Sequence, residues 1–265
     1  MDSPIIETPS QADDWLQDLG QPVARRLLDW EQQQADRLLA DVFGYHALQV
    51  GWPALQALRH NRMPHRWQVL TEFETQGPGQ PADLCMDSRA WPWPADSLDL
   101  VVLPHTLERS DDAHACLREV ERVLIPEGHL LITGLNPWSW WGWRQMRAGR
   151  AAGADRRELL IGYHRLRDWL RLLGFEVQVS RFSGWTPALR SERWMQRWSW
   201  LDALGQRWWP IFGGVYLILA VKRVPGGRWL DGRQWQAVRS PHTAAVPLAR
   251  SDNATGRIAP HKDCS

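Results

Sequence analysis

A histidine stands directly after a continuous apolar run, a position where α/β proteins place catalytic groups on loops. His105 follows the run Leu98–Leu103, and a histidine there could act as a general base on an acceptor hydroxyl. The other interpretation is a structural histidine that hydrogen-bonds the loop. Glu108 and Arg109 lie close by, and we interpret Arg109 as one half of a surface ion pair with Glu108.

A second polar residue follows the apolar run at 129–134. Asn136 could orient an acceptor, and the four tryptophans within 138–143 could wall an apolar or aromatic pocket beside it. The other interpretation of these tryptophans is a buried aromatic joint between sheet and helix. A longer tryptophan-rich stretch, 182–214, has arginines interleaved with the aromatic residues.

Short apolar runs that alternate with helical periodicity must position these residues. The strands are predicted at 46–50, 67–71, 98–103, 129–134, 175–179 and 215–224. The helices are predicted at 12–41 (broken at 20–22), 55–60, 113–124 with Asp111 or Asp112 as the N-cap, and 163–173. This alternation indicates a mostly parallel sheet that is covered by helices on both faces.

The segment Asp87–Gly134 carries a series of motifs in a recognisable order. They are Asp87, Pro92-Trp93-Pro94, Asp96-Ser97-Leu98-Asp99, Leu107-Glu108-Arg109 and Arg122-Val123-Leu124-Ile125-Pro126-Glu127-Gly128. This order resembles the class I S-adenosylmethionine-dependent methyltransferases, the group that includes small-molecule and quinone methyltransferases. The resemblance covers roughly residues 44–224. It implies a doubly wound, mostly parallel seven-stranded α/β sheet and S-adenosylmethionine as the cofactor.

The resemblance also implies roles for three acidic or polar positions. Asp87 matches the acid that recognises the adenine, and Ser88 would offer the neighbouring backbone N–H. Glu72 is the candidate for the acid that accepts the ribose hydroxyls, with Glu74 a weaker one. The alternatives are a turn-forming aspartate at 87 and an exposed loop carboxylate at 72.

The glycine-rich turn of this family is only partly present. Gly51 matches the first glycine, but Gln49 replaces the family's acid, and Pro53 and Leu55 replace the second and third glycines. Proline fixes φ and removes a backbone donor, so it cannot adopt the conformations that glycine allows. Either the turn is rebuilt around the same cofactor, with Gln49 and Gly51 as contacts and Trp52 as a new packing surface, or the domain has become an inactive binding or regulatory module.

Composition limits the other possibilities. The 265 residues are 44% hydrophobic and 23% charged, which is typical of a globular protein. The longest apolar run, Ile211–Val221, is far shorter than the roughly 20 residues that a membrane-spanning helix needs. Cys85, Cys116 and Cys264 are too scattered for a disulfide framework or a zinc site. The start of the chain has no secretory pattern, so we expect a cytoplasmic protein.

Charge is distributed unequally along the chain. Residues 1–138 carry a net charge of −11 and residues 139–265 carry +12. The basic, aromatic second half could touch an anionic membrane weakly, whereas a total of +1 and the absence of a known motif argue against specific nucleic-acid binding. The oligomeric state is not indicated.

The sequence therefore predicts three parts. These are an N-terminal helical extension (1–43), a methyltransferase-like domain (44–224) with a tryptophan-rich insertion at 182–214 on the substrate side, and a disordered tail (225–265). The expected reaction is methyl transfer from S-adenosylmethionine to a small, hydrophobic acceptor.

Overall fold

The computed structural model describes residues 21–71, 83–143, 160–185 and 212–224, and all statements below concern these ranges. They form a seven-stranded sheet with the order β3-β2-β1-β4-β5-β7-β6. The strands are β1 His46–Val50, β2 His65–Thr71, β3 Leu84–Met86, β4 Leu98–Pro104, β5 Leu124–Leu135, β6 Phe175–Ser183 and β7 Val215–Lys222. Only β7 runs against its neighbours, β5 and β6. The predicted doubly wound, mostly parallel α/β sheet is confirmed.

Within the described ranges, three helices accompany the sheet: α1 Gln21–Leu39, α2 Ala113–Val123 and α3 Tyr163–Leu172. Helix α1 begins one residue before Pro22, which agrees with the predicted break, since proline is tolerated in a first helical turn. Helix α2 begins after Asp112, whose carboxylate accepts a hydrogen bond of 2.9 Å from the backbone N–H of Ala115. The predicted N-cap is thus confirmed at Asp112.

Strand β4 shows how the core divides between the two faces of the sheet. Leu100 and Val102 belong to one apolar cluster, and Val101 and Leu103 belong to the other, as the alternation of side chains along a strand requires. Helix α1 packs into the first cluster through residues that recur every fourth position. Helices α2 and α3 contribute to the second cluster. The predicted N-terminal helix is therefore part of the core of the sheet domain.

The segment between β1 and β2 differs from its prediction. Residues 57–60 form turns and no residue from 55 to 60 is helical, so the helix predicted there is wrong. Asn61 organises this segment instead: its side-chain amide donates to the carbonyls of Leu39 and Val42 at 2.9 and 3.1 Å, and its oxygen accepts from the Met63 N–H at 2.9 Å. These three hydrogen bonds satisfy the buried amide and hold the loop in place.

Helix α1 holds the same segment from its other side. Gln32 and Gln56 exchange two hydrogen bonds of 3.0 Å between the Gln32 side chain and the Gln56 backbone. Asp36 forms a 2.5 Å ion pair with Arg59. The loop after β1 is thus fixed to α1 rather than carried by a helix of its own.

Several predicted features lie outside the described residues. These are residues 1–20, the candidate acids Glu72 and Glu74, most of the stretch 182–214 and the whole of 225–265. Within the described ranges, no helix is both long enough and apolar enough to cross a membrane.

Candidate functional site at the carboxyl ends of the strands

The order of the strands locates the crevice in which such a sheet binds a ligand. Strands β1 and β4 are neighbours, but the chain continues from β1 towards one edge of the sheet and from β4 towards the other. Ligands of doubly wound sheets bind beyond the carboxyl ends of the strands at this switch point. The loops after β1 and β4 therefore form the two walls of the candidate site.

The loop after β1 is closed by its own hydrogen bonds. Gln49 is fully buried; its side-chain amide donates to the Leu55 carbonyl at 2.5 Å, and its oxygen accepts from the Ala57 N–H at 3.0 Å. Gly51 adopts a φ of 82°, and its N–H donates to the Val69 carbonyl of β2 at 2.7 Å. Gln49 thus organises the loop, and its predicted contact with the cofactor stays a prediction.

Leu55, which replaces the family's third glycine, and the nearby Trp52 point into the protein, whereas Pro53, which replaces the second glycine, is half-buried. Trp52 is 2% exposed and Leu55 is fully buried, and both belong to the apolar cluster that contains α1. Trp52 adopts a φ of 31°, a conformation that a bulky residue rarely takes and that costs about 1–3 kcal/mol. Trp52 packs against the protein core in this conformation, so its predicted role as a packing surface for the cofactor stays a prediction.

His105, in the loop after β4, lies between two carboxylates. Its Nε2 is 2.9 Å from Oε1 of Glu31 on α1, and its Nδ1 is 3.3 Å from Oε2 of Glu108. Burial alone would lower the pKa of His105, but the two carboxylates outweigh this effect and raise it to about 10. The imidazole is therefore protonated at neutral pH, and each N–H donates to one carboxylate.

This arrangement sets a condition on the predicted general base. A protonated imidazole has no lone pair for a substrate proton, so His105 would have to give up its contact with Glu31 or Glu108 first. The described conformation agrees better with the alternative, a structural histidine. The catalytic role of His105 stays a prediction.

His105 also links the two walls of the crevice. It adopts a φ of 52°, and its ring lies edge-on to the ring of Trp52 with 5.0 Å between the centroids. The neighbouring Thr106 hydroxyl donates to the Val50 carbonyl at the end of β1 at 2.5 Å. Two residues with unusual backbone conformations thus meet at the switch point, as is common at functional sites.

The buried cluster around His105 contains two carboxyl groups and one imidazole. Glu108 accepts a further hydrogen bond from the Leu135 N–H, so both of its oxygens have partners. Oε2 of Glu31 is buried and has no hydrogen-bond partner in the part of the chain that the structure describes. One imidazolium therefore faces two carboxylates, and one carboxylate oxygen is left unsatisfied.

At the end of β3, the predicted adenine-side residues occupy different environments. Asp87 is exposed, and hydrogen bonds from the Arg89 backbone N–H and then from its side chain hold the pKa of Asp87 below its usual value. Ser88 is buried, with its hydroxyl 3.1 Å from that of Ser110 and its carbonyl accepting from the Trp91 indole at 2.9 Å. Asp87 therefore presents an ionised carboxylate to solvent, and Ser88 joins this loop to the loop after β4.

At the end of β5, Asn136 is buried and holds two loops together. Its backbone N–H and its side-chain amide donate to the carbonyls of Gly214 and Gly213 at 2.9 and 3.0 Å. Its side-chain oxygen accepts from the Trp138 N–H at 3.2 Å. These contacts position the loop, and the predicted orientation of an acceptor by Asn136 stays a prediction.

The four tryptophans after β5 divide into two groups. Trp141 is 6% exposed and packs against Gly184 and Gly214, which agrees with the interpretation as a buried joint. Trp138, Trp140 and Trp143 are 76%, 57% and 45% exposed. Three large aromatic side chains therefore offer apolar surface next to the candidate site.

Sequence reasoning missed Glu31 and the role of Glu108. The interpretation of Arg109 as half of a surface pair places Glu108 at the surface, but Glu108 is buried and contacts His105. The signal for Glu31 was its position: the buried residues of α1 include Leu27, Glu31, Ala35 and Leu39, each four residues from the last. A carboxylate within an apolar row at this spacing is a candidate for a buried functional group.

Comparisons with known proteins agree with this geometry. Residues 67–132 match a family model described as a methyltransferase domain. The chain is 31% identical over 152 residues to the uncharacterized protein YafS of Escherichia coli strain K12, covering 57% of this chain and 61% of YafS. It is 36% identical over 58 residues to a malonyl-[acyl-carrier protein] O-methyltransferase of Halorhodospira halophila, covering 22% of this chain and 20% of that protein.

A solved structure has the same fold. It is a S-adenosylmethionine-dependent methyltransferase from Thermotoga maritima, a possible histamine N-methyltransferase by its description, with a TM-score of 0.51 and 17% identity over 72% of this chain and 87% of that one. The chain spans about three fifths of YafS and one fifth of the Halorhodospira enzyme. The structure therefore has a methyltransferase fold, and residues 67–132 match a methyltransferase domain, which agrees with the predicted resemblance.

Proposed function

We propose that this chain transfers a methyl group from S-adenosylmethionine to an oxygen, nitrogen or carbon atom of a small hydrophobic acceptor. One observation carries the proposal. The segment that matches the methyltransferase domain, 67–132, contains β3, β4 and the loops after them. Asp87, Ser88 and His105 therefore stand at the edge of the sheet where a doubly wound fold binds its ligand.

The residues at this edge have properties that suit the cofactor. Asp87 offers an ionised, exposed carboxylate to hydroxyl or amino groups. Gly51 takes the positive φ that a tight turn requires and has no side chain that would block a ligand. The buried, unsatisfied Oε2 of Glu31 suits a positively charged group. In this proposal Asp87 and Ser88 hold the adenosine end of the cofactor, and Gly51 lies near its methionine end.

The chain's own residues position and shield the reacting groups. The cofactor, when bound, supplies a methyl group on a sulfonium, which a nucleophile can displace in line, so alignment is the main task of the protein. Trp138, Trp140 and Trp143 offer apolar surface to a hydrophobic acceptor. His105 donates one N–H to Glu31 and the other to Glu108, and these two hydrogen bonds fix the loop after β4.

A second candidate function is a catalytically inactive binding or regulatory module. The observation that favours it is the loop after β1: Gln49 is occupied by Leu55 and Ala57, and Trp52 fills space in the core. If this loop stays closed, the chain does not admit the cofactor in the family's usual manner. Binding of the cofactor separates the two functions.

The test is calorimetric titration with S-adenosylmethionine and with S-adenosylhomocysteine. We expect micromolar binding by the unaltered chain and at least tenfold weaker binding by Asp87→Ala, because a charged hydrogen-bond acceptor is lost. Asp41→Ala, an exposed aspartate before β1, is the matched control and should bind normally. Absence of heat at millimolar ligand from a folded protein would refute the enzymatic proposal and favour the inactive module.

The proposal also covers the setting of the protein. The thiol of Cys85, which forms no disulfide within the described residues, suits a reducing, cytoplasmic compartment. The exposed Trp138 and Trp140 suit a small apolar substrate, and they could also support weak contact with a membrane surface. Co-sedimentation with anionic and neutral vesicles tests this contact; equal amounts of protein in the supernatant with and without vesicles would exclude it.

A further inference from the structure

A glutamate on the apolar face of helix α1 needs an explanation. Glu31 is fully buried, and its neighbours four residues away in either direction, Leu27 and Ala35, belong to the apolar core. Burial of a carboxylate in such a row is costly unless its oxygens are hydrogen-bonded. Packing alone would favour an apolar residue at position 31.

Only one oxygen of this carboxylate is satisfied. Oε1 of Glu31 accepts from Nε2 of His105 at 2.9 Å, and the other ring nitrogen of His105 faces Glu108. Oε2 of Glu31 has no hydrogen-bond partner among the described residues. A buried carboxylate oxygen without a hydrogen-bond partner favours the approach of a positively charged hydrogen-bond donor.

The cluster lies at the place where the ligand of such a sheet binds. His105 belongs to the loop after β4, and its ring contacts Trp52 of the loop after β1. These two loops form the switch point of the sheet. Glu31 therefore brings a carboxylate from α1 to the crevice between them.

Strand β1 has no carboxylate at its carboxyl end. Gln49 is neutral, and both ends of its side chain are occupied by the loop that it organises. S-Adenosylmethionine carries two positive groups close together, an ammonium and a sulfonium. We infer that Glu31 supplies the carboxylate that binds this cationic end of the cofactor. The inference rests on the proposed function, and it assigns helix α1 to the binding site.

The contact requires the loop after β1 to move. Glu31 and His105 are fully buried, and Trp52 covers His105 in the described conformation. The φ of 31° at Trp52 stores backbone strain that a shift of this loop would release. We therefore expect the ligand to displace Trp52 from His105 while Glu31 keeps its position on α1.

The experiment compares Glu31→Gln with Asp29→Asn. Both changes replace a carboxylate by an amide on α1, but Asp29 is exposed. We expect Glu31→Gln to bind S-adenosylmethionine about tenfold to hundredfold more weakly, the usual effect of losing a charged hydrogen bond. Asp29→Asn should bind like the unaltered chain.

S-Adenosylhomocysteine keeps the ammonium and lacks the sulfonium. An equal loss of affinity for both ligands in Glu31→Gln therefore identifies the ammonium as the partner of Glu31, and a loss confined to S-adenosylmethionine identifies the sulfonium.

The outcomes separate this inference from the proposed function. If the unaltered chain does not bind the cofactor, the proposed function fails. If it binds and Glu31→Gln binds equally well, the proposed function stands and the role of Glu31 is overturned. Should Glu31→Gln not fold, hydrogen exchange of the unaltered chain decides: saturating cofactor should slow amide exchange in the part of α1 around Glu31, and unchanged exchange there would overturn the inference.

Discussion

Because His105 is protonated in the folded protein, the stability of the fold should depend on pH. In the folded protein, the carboxylates of Glu31 and Glu108 overcome the effect of burial and raise the pKa of His105 to about 10. In the unfolded chain its pKa is about 6.5. Between these values the folded state binds one more proton than the unfolded state. The contribution of protonated His105 to the free energy of unfolding is therefore fully present below pH 6.5 and is lost as pH rises towards 10.

The expected loss can be worked out from these pKa values. A difference of one proton lowers the free energy of unfolding by about 1.4 kcal/mol per pH unit. From pH 6.5 to 9 the contribution of His105 should fall by roughly 3 kcal/mol, a large part of the stability of an ordinary domain. Tyr216, which lies near Glu108, should not titrate in this window, because burial raises its pKa well above the usual value.

Urea unfolding followed by circular dichroism, at closely spaced pH values from 6 to 9, measures this effect. Glu31→Gln removes the carboxylate closest to the ring, so the pKa of His105 should move back towards its usual value. The stability of this variant should then fall less steeply above pH 7.5 than that of the unaltered chain. Asp29→Asn should retain the full dependence. Parallel curves for the unaltered chain and Glu31→Gln would refute the buried ion cluster.

Other contacts lead to further predictions for stability, each measured by urea unfolding at pH 7. In Gly134→Ala the new Cβ would lie 2.5 Å from the Tyr216 hydroxyl oxygen, so a loss of about 1–3 kcal/mol is expected, and full stability would contradict this close packing. Lys222→Met removes a buried ammonium that donates to Asp96 at 3.1 Å and to two backbone carbonyls, and should cost about 1–3 kcal/mol; a neutral result would mean that these acceptors find water. Trp52→Ala should cost about 3–5 kcal/mol because it empties a buried site, and a much smaller loss would show that the loop after β1 is only loosely packed.

The strands and capped helices could be predicted because their signals are local. Strand β4 is apolar at every position except Asp99, and its residues alternate between two covered faces, so its type depends on little beyond its own sequence. Helix α2 carries its N-cap, Asp112, next to its first turn. The motifs from Asp87 to Gly134 added the order of the elements, and with it the location of the site.

The loop after β1 and the buried ion cluster could not be predicted in the same way. Residues 55–60 have helical spacing, but the turns that they form are fixed by Asn61 and by Gln32 of α1, which are tertiary contacts. His105 and Glu31 are 74 residues apart in the chain. A single sequence contains no local signal for such a pairing. The charged residue within the apolar row of α1 indicates only that Glu31 is unusual, and it does not identify His105 as its partner.

The closed loop and the buried carboxylate are best understood together. Gln49 gives the loop after β1 two internal hydrogen bonds, and a carboxylate could provide only the one from the Ala57 N–H, since it cannot donate to the Leu55 carbonyl. Because Gln49 stands where the methyltransferase family has an acid, this end of β1 also lacks a negative charge. Glu31 restores a carboxylate there from α1, and His105 holds it in place.

This exchange of a carboxylate on β1 for one on α1 can be tested at Gln49. If it is correct, Gln49→Glu should open the loop without improving cofactor binding while Glu31 is present, because a second carboxylate would repel the first. Calorimetry on Gln49→Glu and on its combination with Glu31→Gln tests this: tighter binding by the double variant than by Glu31→Gln alone supports the exchange, and equal binding by these two variants refutes it.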